Sequence, residues 1–180
     1  QSWTKADDIS EFEIEGISIG ISLLDLFSLE KINNNISVGE NYKNTNFKRM
    51  CLDNYGSTYD RFCATFYDDK KKIVSAYQGQ LKYEKLNYQK CKQDMKKIDD
   101  DLSNLFQNLN KKDWGELIMS GFQEISPDST YHPITFDFKD NSRVQLGCYN
   151  HPVADMTVLK IMVYNAEIRK LITMVAKEKQ

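Results

Sequence analysis

Between Tyr88 and Leu109 the apolar positions Tyr88, Cys91, Met95, Ile98, Leu102, Leu105 and Leu109 recur at alternating spacings of three and four, and Lys90, Lys92, Lys96, Lys97 and Asp99 to Asp101 fill the gaps. That period belongs to a helix with one buried stripe. It predicts an amphipathic helix over 84–109, about six turns long. A coiled coil would need a longer repeat and less crowded polar faces, so the stripe is expected to lie on a sheet.

Elsewhere the period is two. Phe47–Asp53 and Arg61–Asp68 flank the turn residues Asn54-Tyr55-Gly56-Ser57, and Ile73–Tyr83 follows Asp68-Asp69-Lys70-Lys71. In the second run Phe62, Ala64 and Phe66 share a face; in the third, Ile73, Tyr77, Leu81 and Tyr83 do. Tyr131–Lys139 and Arg143–Tyr149 form a second hairpin about Asp140-Asn141-Ser142, and Thr157–Tyr164 alternates again. Alternation bounded by turn residues is the signature of half-buried antiparallel strands. Residues 11–17 alternate apolar and acidic positions as in a short strand. Ser22 is placed to cap a short helix carrying Leu23, Leu26 and Phe27, which Asn33-Asn34-Asn35 ends. Asp113-Trp114-Gly115 reads as a turn anchored by Trp114, and Asn165 as the cap of a C-terminal helix facing inward through Ile168, Leu171, Ile172 and Val175.

The expected fold class is therefore α+β: an antiparallel meander sheet of about six strands, in one sheet or two three-stranded halves. The long helix packs on it, with short helices near both ends. At 180 residues one domain, 1–180, is the default. Thr65-Phe66-Tyr67-Asp68-Asp69 resembles Thr135-Phe136-Asp137-Phe138-Lys139-Asp140, which raises a pseudo-repeat of 17–83 and 84–177.

Composition narrows the function classes. Apolar residues make up 41% and charged residues 28%, too apolar for a disordered chain. No run approaches the ~18–20 apolar residues of a membrane-spanning helix. With 24 basic and 26 acidic side chains the formal charge is -2, which gives no bias toward nucleic acid. The first residue is Gln1, as in a mature chain whose signal peptide has been removed.

Four cysteines, an even number, agree with export. Cys51, Cys63, Cys91 and Cys148 contain no close pair of the kind that forms half a zinc site. Cys91 falls in the helical stripe and Cys148 on the apolar face of its strand, while Cys51 and Cys63 straddle the first hairpin. Cys51–Cys63 with Cys91–Cys148 is therefore favoured over the other two pairings. Four buried free thiols are the alternative.

No nucleophile elbow, phosphate loop, dinucleotide fingerprint or zinc-protease motif occurs, and no catalytic residue, cofactor or metal is assigned. The most pointed feature is His132-Pro133 and His151-Pro152. If Asp140 pairs with Arg143, His132 stands opposite His151, with Asp128 or Asp155 nearby, as a ligand-binding or pH-sensitive pair. Asp99 to Asp101 lack a calcium loop's spacing. Tyr42, Tyr55, Tyr59, Tyr67 and Tyr149 are candidates for an exposed contact patch.

Phe12-Glu-Ile-Glu-Gly-Ile-Ser-Ile-Gly20 with Ser22-Leu-Leu-Asp-Leu-Phe27, Lys112-Asp-Trp-Gly115, and Phe136-Asp-Phe-Lys-Asp140 before Cys148-Tyr149 together resemble uncharacterised small secreted proteins of A/T-rich marine bacteria. A more distant architectural likeness is to outer-membrane assembly lipoproteins of the SmpA/OmlA type, without their lipid-attachment cysteine, since residue 1 is Gln. The resemblance implies export to the periplasm or the extracellular space. The resulting expectation is a soluble exported protein that contacts a protein partner in the cell envelope. Two alternatives are a small hydrolase or metal- or ligand-binding protein using the His132/His151 end of the second hairpin, and a subunit of a surface assembly.

Overall fold

The computed structural model describes residues 8–37, 45–84, 87–119 and 128–178. Their elements are β1 (Glu13–Ile14), β2 (Ile17–Ser18), α1 (Leu29–Asn34), β3 (Ile36–Ser37), β4 (Phe47–Asp53), β5 (Arg61–Tyr67), β6 (Val74–Tyr83), α2 (Tyr88–Leu105), β7 (Asn110–Asp113), β8 (Leu117–Ile118), β9 (Thr130–Asp137), β10 (Arg143–His151), β11 (Met156–Tyr164) and α3 (Ala166–Glu178). The fold is α+β, with an antiparallel sheet in the order β3-β4-β5-β6-β11-β10-β9-β7, and β8 also paired to β9. Among the described residues it is one sheet of nine strands, where the alternation pattern indicated about six. The extra strands are short and, in Asn110-Lys111-Lys112-Asp113, wholly exposed, so they carry no apolar alternation to read. Charged, short strands are what a sheet edge needs to resist pairing with other chains.

One face of the sheet carries the main core. Ile134, Phe136, Val144, Leu146, Cys148, Leu159, Ile161, Val163, Phe62, Ala64, Phe66 and Tyr77 come to it from the strands, and α2 adds Cys91, Met95, Leu102 and Leu105. Asn87 caps α2, its Oδ1 accepting from Lys90 N, and the helix ends at Leu105, short of the predicted 109. Phe106 follows and packs edge-on or tilted against Phe12, Phe136 and Phe138. Phe106, four residues after Leu102, is the C-cap of the helix, and its N–H donates to the Leu102 carbonyl.

Three local readings change. Residues 11–17 hold the start of a hairpin, not one strand: Glu15 (φ 52) and Gly16 (φ 78) make a two-residue turn between β1 and β2, the geometry that matches strand twist. Glu15 tolerates this left-handed conformation because it is tied down; its Oε1 accepts from Thr58 N at 3.0 Å and its carbonyl from the Tyr55 hydroxyl. The first helix is two pieces, a 3-10 turn over Leu23–Asp25 capped by Ser22 and α1 capped by Ser28. In β6 a bulge opposite Thr65/Phe66 turns Val74 into the core in place of Ile73.

The opposite face is covered at one end. Asn165 Oδ1 accepts from Ile168 N and starts α3, whose Ile168, Leu171 and Ile172 pack over Phe47, Ala76, Tyr67 and Tyr164. The Val175 side chain, assigned to the same inner face from the sequence, lies outside the described residues. No described helix is long and apolar enough to cross a membrane.

Candidate functional site

The cysteines are joined as Cys51–Cys63 and Cys91–Cys148. Cys51 and Cys63 are directly opposed on β4 and β5. Cys91 and Cys148, with Cα atoms 6.0 Å apart, cross-link α2 to the sheet from inside the core, within the usual ~4.4–6.8 Å span. The hydroxyl of Tyr83 on β6 adds a polar tether, donating to Asp94 Oδ2 on α2 at 3.1 Å.

The two histidines are not brought together. Arg143 pairs with Asp137, not Asp140, so Cys148 faces His132 and the anticipated His132–His151 juxtaposition does not form. His132 Nε2 lies 2.6 Å from Asp113 Oδ1, and His151 Nδ1 lies 3.2 Å from Ser129 Oγ. Because His151 is three residues beyond Cys148, an odd step along β10, the two rings leave opposite faces of the sheet. The cause is the turn. Phe138 N donates to Ser142 O, Asn141 (φ 69) takes the left-handed position, and Asp140 Oδ1 accepts from Ser142 N. This is a three-residue loop where a two-residue one was assumed. Among the described residues no group of three or more His, Cys, Asp or Glu could hold a metal ion.

The tyrosine patch also differs. Tyr59 and Tyr149 are buried, Tyr55 packs on the main core, Tyr67 lies under α3, and Tyr42 lies outside the described residues.

What the register does assemble is the face away from α2. Tyr131, Tyr149, Val158 and Lys82 form one cross-strand row; Pro133, Gly147, Lys160, Gln80 and Arg61 form the next; Thr135, Gln145, Met162, Gln78 and Cys63 form a third. Among the described residues α3 covers only the Phe47/Tyr164 end. Tyr131 stacks on Tyr149 at 5.6 Å with 17° between the rings. The Tyr149 ring also passes beside Gly147, where an added Cβ would lie 3.3 Å from that ring and 3.1 Å from the His132 carbonyl oxygen. Gln145 Nε2 donates to the Tyr149 hydroxyl at 3.1 Å. At the sheet edge the exposed Trp114 donates from Nε1 to Thr135 Oγ1, and Lys112 Nζ sits 3.3 Å above its ring.

Lys160 is at the centre of this arrangement. Its Nζ lies 4.4 Å from the Tyr149 ring centroid, a cation–π contact. No carboxylate pairs with it among the described residues. Burial, and then the Arg49 charge, pull its pKa from 10.5 down to about 8. Burial, reinforced by the Lys160 charge, also lowers the pKa of the neighbouring His151. Burial pushes the Tyr149 hydroxyl well above its usual range, so it stays protonated. The sequence reading missed Lys160 because one lysine in an alternating strand looks like an ordinary solvated position.

Comparison with family models, curated proteins and solved structures yields no match.

Proposed function

We propose that this chain is an exported protein of the periplasm or extracellular space that works by contact with a protein partner, through the sheet face opposite α2. The observation that carries the reading is the Lys160 ammonium, held on that face against an aromatic ring with no carboxylate partner among the described residues. A half-buried charge without a counter-ion weakens the fold that holds it, and perturbed groups of this kind concentrate where a protein binds something. The adjoining Tyr131 and Trp114 are residue types suited to contact surfaces. The two disulfides support an oxidising compartment.

Site-specific photo-crosslinking in intact cells tests this. A photoreactive residue at Tyr131 or Gln145 is expected to form discrete adducts, and one at Lys96, on the exposed side of α2, is not. Adducts from Lys96 alone would overturn the reading. Adducts with a second copy of the chain would replace a separate partner with self-assembly.

A further inference from the structure

We propose that Cys51–Cys63 is an exchange-active disulfide, which a dithiol reductant opens by attack on Cys51 while Cys91–Cys148 stays oxidised. The proposal is independent of the contact function and holds whether or not this face meets a partner.

The two links differ in access. Cys91 and Cys148 are both 0% exposed and lie between α2 and the sheet, inside the main core. A thiolate reaches them only when that layer opens. Cys51 and Cys63 leave the face away from α2, in the row of Gln78, Met162 and Gln145. On that face α3 packs further along the same strands, over Phe47, Tyr67 and Ala76. Cys51 is partly exposed, whereas Cys63 is 1% exposed. Exposed disulfides are the ones that exchange readily.

Displacement at sulfur runs in line with the bond that breaks, and this selects the sulfur attacked. The S–S bond spans β4 and β5, so an attacker in line with Cys63 would arrive from β6, where Gln78 stands opposite it. An attacker in line with Cys51 arrives from the outer side of β4. Among the described residues that side carries only the two-residue β3, paired to Met50 and Arg49, and the Asn35 carbonyl that accepts from Cys51 N.

Opening this link also leaves its strands joined. Backbone pairing runs from Phe47–Tyr67 to Asp53–Arg61, and β5 is paired in turn to β6. The link bridges a separation of 12 residues, against 57 for Cys91–Cys148, so its loss frees less of the unfolded chain. The step balances as dithiol–disulfide exchange. One reductant thiolate bonds to Cys51 Sγ, the bond between the two cysteines breaks, and Cys63 Sγ leaves with the electron pair and takes a proton. The second reductant thiolate then displaces Cys51 Sγ, which is released as a thiol. The link has gained two electrons and two protons, and the reductant ends as a disulfide.

The test is timed reduction of the whole folded protein by dithiothreitol, without denaturant, quenched with N-ethylmaleimide and read by peptide mapping. Alkylation is expected at Cys51 and Cys63 while Cys91 and Cys148 remain joined, the first link opening about tenfold faster or more. The selectively reduced protein should keep the hydrogen-exchange protection of β4, β5 and α2. Single variants locate the attacked sulfur: the thiol left in Cys63→Ser should react with N-ethylmaleimide faster than the one left in Cys51→Ser. A well-dispersed amide spectrum shows that each variant is folded, and the timed reduction of the parent needs no variant. Both links opening together, or Cys91–Cys148 opening first, overturns the proposal. Loss of β4 and β5 protection on selective reduction also overturns it, because the link would then be structural. Faster labelling of Cys63 than of Cys51 overturns the assigned direction of attack.

Discussion

Lys160 ties the stability of the fold to pH. The unfolded chain holds this proton up to about pH 10.5 and the folded chain releases it near 8, so between those values the unfolded state binds more protons and stability rises with pH. At pH 7 both states are charged, and the full cost of holding the ammonium in place is present. Lys160→Met is therefore expected to stabilise the protein at pH 7, on the order of 1–3 kcal/mol, and to flatten the rise between pH 8 and 10. Urea unfolding of parent and variant at both ends of that window measures it; a variant less stable than its parent at pH 7 contradicts the assignment. The same substitution removes a charge beside His151, so the His151 ring should titrate at higher pH in the variant, read from its imidazole proton shifts. Gly147→Ala places a methyl against the His132 carbonyl and the Tyr149 ring. It should cost about 1–3 kcal/mol of stability and disturb the Tyr131–Tyr149 stack.

At the scale of elements, the long helix and the central strands were legible because each buries one face and writes its period into the sequence. β4 spans Phe47–Asp53, the bounds its alternation indicates, and Met95 and Leu102 of the helical stripe are buried as its spacing requires. The candidate site was not legible, because it depends on cross-strand register. A three-residue loop at Lys139-Asp140-Asn141 in place of a two-residue one separates His132 from His151, and lone residues such as Lys160 and Gly147 acquire meaning only through their neighbours on β6, β10 and β11. The Cys91–Cys148 link makes the helix–sheet docking testable. Replacing both residues with Ala should cost about 2–4 kcal/mol, since the link encloses a separation of 57 residues. Amides of α2 should lose hydrogen-exchange protection before those of β10 and β11. Unchanged protection in α2 would mean that the remaining apolar stripe and the Tyr83–Asp94 bond hold the helix without the link.

Across the whole molecule the sheet reads 3-4-5-6 and then 11-10-9-7, with the last strands of two four-stranded runs joined at β6 and β11 and a helix leading into each run on the same face. The short sequence likeness between Thr65–Asp69 and Thr135–Asp140 runs from the end of β5 into its turn in one run and from the end of β9 into its turn in the other. With α1, α2 and the β1–β2 hairpin gathered on one side, the main core lies on that face of the sheet, and α3 packs on one end of the other. That arrangement depends on a helical layer joined to the sheet through the core by an oxidised pair of cysteines, a bond typical of oxidising compartments. Peptide mapping of natively isolated protein, by mass spectrometry without reduction, examines this directly. The account predicts peptides joined through Cys51–Cys63 and Cys91–Cys148 and no free thiol; four alkylatable cysteines, or a link between the two pairs, would contradict it.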